Sequence, residues 1–161
     1  IMIDTNNFLT KTGVRTFEAA AFLRRCGADV TRVRKMFREH VEDYRAKVEA
    51  IRNAELFREH FAISVCPSEG LDSPTVVCAQ AANELLNIIG VKASFVLTDY
   101  RNTIYISARS IDEINVQIVM ERLGGGGHLN IAGAQLEHYS ITEAKDVLKQ
   151  TLQKMLDEGD I

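Results

Sequence analysis

Residues 124–128 read Gly-Gly-Gly-Gly-His, followed by Leu129-Asn130-Ile131-Ala132-Gly133-Ala134-Gln135. Four consecutive glycines are costly to order, because glycine gives up more backbone freedom on folding than any other residue. A helix C-terminus needs one glycine, not four. A run of this length lets backbone N–H groups approach a bound anion without interference from Cβ atoms, and an imidazole stands next to it. The bland alternative is a flexible linker, but linkers mix serine with glycine and have polar flanks. Here apolar segments flank both sides, which favours a binding loop. His128 could then donate to a phosphate oxygen or serve as an acid.

Two other segments carry candidate groups. In Ser107-Ala108-Arg109-Ser110, period-2 alternation sets Tyr105, Ser107 and Arg109 on one face of a strand and Ile104, Ile106 and Ala108 on the other. Arginine suits bidentate phosphate contact, and Ser107 and Ser110 add hydroxyls. Taken alone the segment reads better as an exposed strand end with a surface arginine, but the helix after it leads directly into the glycine run, which shifts the balance. Asp4 follows the apolar Ile1–Ile3 and is a candidate metal ligand; a turn-forming or capping aspartate fits that position as well. His40, His60 and His138 show no ligand spacing, and Asp72, Asp99 and Asp112 read as turn or cap residues.

The elements that must position these groups follow from periodicity. Ile1–Ile3 reads as the end of a buried strand, and Asp4-Thr5-Asn6-Asn7 as a polar turn. Helices are expected over 16–26, capped by Thr16 and stopped by Gly27, over 30–37, and over 41–56 with Tyr44, Val48 and Ile51 on its apolar side. From Phe61 the pattern turns strand-like. A helix over 75–89 follows, then strands over 93–98 and 103–108 joined by a four-residue loop. A helix over 113–123, the glycine loop, a short strand over 132–136 and a helix over 142–156 capped by Thr142 complete the chain. The expected fold is α/β, a mixed sheet sandwiched by helices after a mostly helical leading segment.

Composition excludes several classes. The chain has 161 residues, 46% of them hydrophobic and 25% charged, with a net charge of −3, which is globular and argues against a non-specific binder of long duplex nucleic acid. Cys26, Cys66 and Cys78 form no metal-binding or disulfide pattern and fit a reducing cytoplasm. No apolar run is long enough to span a bilayer, so no membrane contact is expected. The abrupt start at Ile1 suggests a piece of a longer chain.

Gly124–His128 with Ala132-Gly133-Ala134 resembles the substrate-binding, DHH-associated domain of the DHH phosphoesterase superfamily. The longer stretch Ile106–His128, containing Ser107-Ala108-Arg109-Ser110 and Asn115-Val116-Gln117, is similar to the GdpP-type cyclic-di-AMP phosphodiesterases. Ile3-Asp4-Thr5-Asn6-Asn7-Phe8 and Thr12–Phe17 resemble the end of that family's catalytic domain. The resemblance implies three parts: a catalytic-domain tail over 1–40, a connecting helix over 41–58 and the substrate-binding domain over 59–161. It implies Asp4 as a manganese ligand, Ser107, Arg109 and Ser110 as substrate contacts, and Gly124, Gly125, Gly126, Gly127 and His128 as the loop cradling phosphate and nucleotide. His128 would donate or orient, not act as the base.

The implied activity is manganese-dependent hydrolysis of cyclic-di-AMP to the linear dinucleotide by a longer parent, in the cytoplasm or anchored to a membrane on that side, and compatible with a homodimer. Asp-x-Asp and Asp-His-His, which build the family's two-metal site, occur nowhere in this chain, so the chain alone is expected to be inactive. Two readings stay open beside this one. The first is a nanoRNase- or RecJ-like phosphodiesterase acting on short linear oligonucleotides, whose glycine runs are usually shorter. The second is a nucleotide-binding module without catalysis. Asn130–Ala134 departs from the commonest GdpP-type pattern, so the resemblance assigns no base preference.

Overall fold

The computed structural model describes every residue except Asn6 and Thr10, and divides the chain into two compact units, Ile1–Glu39 and His40–Ile161. The expected role of Asn6 in a polar turn lies outside the described residues.

The first unit holds α1 (Val14–Arg25) and α2 (Val30–Met36). Ile1–Ile3 is not a strand: it is irregular and turn backbone, and Ile3 is 75% exposed. A strand needs a partner, and among the described residues this unit contains no other. Thr5 is buried instead, its hydroxyl donating to the Ile1 carbonyl at 2.9 Å and accepting from the Phe8 N–H at 3.0 Å. Thr16 is not the cap of α1. Gly13 is, and the Thr16 hydroxyl accepts from the Gly13 N–H in the reciprocal arm of a capping box. The expected apolar side of α1 is not buried: Phe17 and Leu23 are exposed, and no α1 residue is buried.

The second unit carries α3 (Val41–Arg52), β1 (Glu55–Phe57), β2 (Phe61–Val65), α4 (Pro74–Leu85), β3 (Ala93–Tyr100) and β4 (Thr103–Ser110). It continues with α5 (Val116–Arg122), β5 (Gly126–His128), β6 (Ile131–Glu137) and α6 (Ile141–Glu158). The strands form one six-stranded sheet in the order β1-β2-β3-β4-β6-β5, with only β2 and β3 parallel. The fold is therefore α/β with a mixed sheet between helices.

The two faces are covered differently. On one, α5 and α6 pack Val116, Met120, Leu148, Leu152 and Met155 against Phe61, Phe95, Ile104 and Leu136. On the other, α3 and α4 pack Ala46, Ala50, Cys78, Ala81 and Leu85 against Ala62 of β2 and Val96 of β3. Ser64 and Ser94 are buried under these helices. Their hydroxyls donate to helix carbonyls, Ser64 to Ala50 at 2.5 Å and Ser94 to Ala82 at 2.6 Å, so both buried serines are paired.

Several elements differ from expectation for local reasons. α3 ends at Arg52, and Leu56 belongs to β1, so residues 40–58 lie in the second compact unit. Its inward residues are Ala46 and Ala50, while Tyr44 and Val48 are exposed, because small residues allow the close helix–helix approach to α4. The β3–β4 loop has two residues, not four: Asp99 and Tyr100 pair with Ile104 and Thr103, and Arg101 and Asn102 take positive φ of 54° and 60°, a two-residue turn with the twist antiparallel strands require. Ser140, not Thr142, caps α6, in a capping box with Glu143. No helix among the described residues is long and apolar enough to cross a membrane.

Candidate functional site

Strand β4 alternates strictly between buried and half-buried positions. Ile104, Ile106 and Ala108 enter the α5/α6 core, and Tyr105, Ser107 and Arg109 occupy the opposite face, as the alternation predicts. Cross-strand register extends that face outward over β6 and β5. Arg109 pairs with Ile131, and Ile131 with His128. Ser107 pairs with Gly133, and Gly133 with Gly126. Two rows result, His128–Ile131–Arg109 and Gly126–Gly133–Ser107. Arg109 and His128 stand two strands apart on one face, about 10 Å between backbones.

Helix α4 covers this face only as far as β4. Beyond it lies an open depression of 500 Å³ lined by Thr75, Tyr105, Ser107, Gly126, Gly133 and Gln135 among others. The glycines and the serine leave its floor close to bare peptide.

Arg109 sits where α4 meets this open face. Its Nε donates to Asn83 Oδ1 at 3.1 Å and its Nη1 to the Ala108 carbonyl at 2.8 Å. Asn83 thus orients the guanidinium from α4, and the other N–H groups are left for a ligand. Burial lowers the Arg109 pKa from its ordinary value, with the neighbouring Cys78 thiol acting in the opposite direction; the group remains a cation at neutral pH. Cys78 is buried beneath, donating to the Val96 carbonyl at 3.0 Å. Burial pushes its pKa up to about 11 against a lowering hydrogen bond with Ser107. Burial pushes Cys66 up to about 12, with Cys78 and Glu49 adding to it.

The four glycines do different things. Gly124 has φ +77° and ends α5: its N–H donates to the Glu121 carbonyl at 3.0 Å, and the Gly125 N–H donates to the Met120 carbonyl at 2.8 Å, the pattern of a Schellman cap. Gly125 has no room for a side chain, because a Cβ there would collide with the Gly133 carbonyl and with Ala134. Gly127 has φ +150°, and a Cβ would lie 2.5 Å from Ala132 Cα. Gly124 and Gly126 both have open space where a side chain would be, but of the two only Gly126 is free of a positive φ. Gly124 and Gly125 nonetheless line the depression together with Gly126. Gly126–His128 is the edge strand β5, and helix termination and strand packing account for three of the glycines.

Ser110 does not join Ser107 and Arg109. It is buried on the α5/α6 face, its N–H donating to the Asn130 carbonyl at 3.1 Å and its hydroxyl to Asn130 Oδ1 at 3.3 Å. Asn130 Nδ2 in turn bonds Asp112. Ser110 and Asp112 therefore pin the turn between β5 and β6, and with it the exposed His128. Asp112 reads from sequence as a turn residue; the partner that makes it useful, Asn130, carries no local signal.

Asp4 is far more exposed than a metal ligand, at 84%, with the Ile1 amino group 3.6 Å away. Among the described residues no group of three or more His, Cys, Asp or Glu side chains is placed to hold a metal ion. One exposed carboxylate does not make a manganese site, which needs several oxygen or nitrogen donors, so no chemical step is derived through a metal here.

Sequence reasoning missed Thr75, Asn83 and Gln135. Each lies on the site only because α4 and β6 are brought there by the sheet order.

Residues 59–155 match the family model described as DHHA1 domain. The chain is 41% identical over 160 residues to the cyclic-di-AMP phosphodiesterase GdpP of Geobacillus thermodenitrificans, covering 99% of this chain and 24% of that protein. It is 42% identical over 149 residues to the cyclic-di-AMP phosphodiesterase PdeA of Listeria monocytogenes, covering 92% and 22%. The chain thus spans about a quarter of the length of these curated relatives. Among solved structures, an exopolyphosphatase-related protein from Bacteroides fragilis superposes with a TM-score of 0.83 at 23% identity, covering 96% of this chain and 47% of that one; that likeness concerns the fold alone. Since the matched stretch runs from just before β2 into α6 and takes in both rows of the open face, this chain belongs to the DHHA1 domain family.

Proposed function

We propose that this chain is the nucleotide-holding part of a phosphodiesterase that hydrolyses cyclic-di-AMP to the linear dinucleotide. The supporting observation is the alignment of His128, Ile131 and Arg109 in one row beside the bare Gly126–Gly133–Ser107 row. The relatives named for that activity, similar over nearly the whole chain, add the substrate class.

In this reading the Arg109 guanidinium, steadied by Asn83, takes a substrate phosphate through the N–H groups it does not use within the fold. His128 donates a hydrogen bond from the edge strand and orients the phosphate. Gly126 keeps the floor clear. Residues 1–40 would be the tail of a catalytic domain, 41–58 its connection, and 59–161 the substrate-binding domain. Manganese would be held mainly by donors this chain lacks, with Asp4 as one ligand among them. The chain by itself would bind and not hydrolyse.

The test is calorimetric titration of the chain with cyclic-di-AMP. Arg109→Lys keeps the charge and loses the fork. It should weaken binding at least about tenfold, a change of about 1.4 kcal/mol, with an unchanged melting temperature. Unchanged affinity would make Arg109 a bystander and remove the reading. Tighter binding of the linear dinucleotide than of the cyclic one would move the substrate class to short linear oligonucleotides.

A further inference from the structure

The open depression is chemically divided. Among the described residues that line it, none is charged; Arg109 stands outside it, one position beyond Ser107 on the same face of β4. At the opposite end stands Tyr105, half-buried and lining the depression. Its ring packs against Tyr100 at a centroid distance of 6.4 Å and an interplanar angle of 52°. Tyr100 is covered in turn by the Arg101 guanidinium at 4.9 Å. This Arg101–Tyr100–Tyr105 series holds an aromatic ring in place at the wall of a cavity whose floor, at Gly126 and Gly133, has no side chains. Thr75 and Gln135, one with a hydroxyl and one with an amide, also line it. An uncharged slot with an immobilised ring, a bare peptide floor and one amide suits a planar heterocycle with donors and acceptors at its edge. It does not suit a phosphate.

We infer that the Tyr105 end of the depression is the nucleobase subsite of this nucleotide site, with Tyr105 as the stacking surface and Gln135 as the group that reads the base edge. The inference rests on the proposed nucleotide-holding function and adds where the base lies and which residues select it. Tyr105 and Arg109 are four positions apart on one strand, about 13 Å along it. A nucleotide with its phosphate on Arg109 and its ribose over Ser107 therefore reaches Tyr105 with its base. The glycine floor fits the same arrangement, since a side chain at Gly126 would project into the space the ring needs.

The experiment compares two probes by heteronuclear NMR titration of the chain: adenosine 5′-monophosphate and ribose 5-phosphate, identical but for the base. The unmodified chain should bind the nucleotide more tightly by about the 5- to 150-fold that a base–aromatic stack contributes, and only the nucleotide should shift the Tyr105 ring resonances. Tyr105→Leu should weaken nucleotide binding by about 5- to 150-fold, the range of a lost base–aromatic stack, and leave ribose 5-phosphate binding unchanged. Tyr105→Phe keeps the ring and should restore most of the affinity. Gln135→Leu should narrow the difference between adenosine and guanosine monophosphates. The amide spectrum of each variant reports whether it is folded.

If Tyr105→Leu and Tyr105→Phe bind both probes as the unmodified chain does while Arg109→Ala abolishes binding, the base subsite is wrong and the phosphate site stands. Equal affinity of the unmodified chain for both probes has the same meaning. If neither probe binds, or Arg109→Ala changes nothing, the phosphate reading fails and the base subsite falls with it.

Discussion

The two faces of the sheet are built from the same strands and treated in opposite ways. The α5/α6 face buries large side chains, among them Phe61, Phe95, Leu97, Ile104, Leu148 and Met155. The other face is covered by α3 and α4 over β2 and β3 and by α4 as far as β4, leaving Tyr105, Ser107, Gly126, Gly133 and Gln135 around an open depression. One face supplies apolar burial, the dominant favourable term in folding. The other can then keep polar and side-chain-free positions exposed. Where both faces need a residue, the stable face wins: Ser110, one position after Arg109, is turned inward to pin the β5–β6 turn.

Three sets of measurements break or sharpen this contrast. The largest effect belongs to the closed face. Phe95→Ala removes a fully buried ring packed against Phe61 at 6.3 Å, and should cost about 3–5 kcal/mol of stability, read by urea denaturation. A loss within 1 kcal/mol would mean that this core is not what supports the open face.

The second contrast lies within the glycine run. Gly125→Ala forces a methyl group into the Gly133 carbonyl and Ala134 and should destabilise by about 1–3 kcal/mol. Gly126→Ala has open space and should leave the melting temperature nearly unchanged while weakening nucleotide binding. Equal stability losses at the two positions would erase the distinction between packing glycines and a floor glycine.

The smallest effect is a pH dependence from the α3/α4 side. Burial raises the Cys66 and Cys78 pKa values from 9.0 to about 12 and about 11. In the folded chain the thiols stay protonated where unfolded thiols ionise. Their contribution to stability is complete below pH 9 and declines as the pH rises from there towards 12. Cys26 is exposed and should react with a thiol reagent at neutral pH, whereas Cys66 and Cys78 react only after unfolding. Three equally reactive thiols in the native chain would show that this part of the core opens freely.

Local pattern determined a good deal of this protein. The alternation in β4 sorted Tyr105, Ser107 and Arg109 from Ile104, Ile106 and Ala108, because a side-chain period of two is intrinsic to a strand. The existence of every helix was legible for the same kind of reason. Boundaries and caps were less so, since Ser140 and Thr142 are chemically equivalent choices, and at α1 a side-chain-free Gly13 takes the cap position while Thr16 serves it from within the first turn.

What only the tertiary structure decided is which residues meet. Gly124–Gly127 read alike as letters, yet they separate into a helix cap, two packing positions and one open floor position according to where β6 lies against them. Arg109 is oriented by Asn83, 26 positions away, and His128 by a turn that Ser110 and Asp112 hold. Ile1–Ile3 looked like a buried strand, but apolar residues form a strand only where a neighbour accepts their hydrogen bonds. Sequence specifies the periodicity of each segment; the order in which strands pair, set by burial of the whole chain at once, specifies the site.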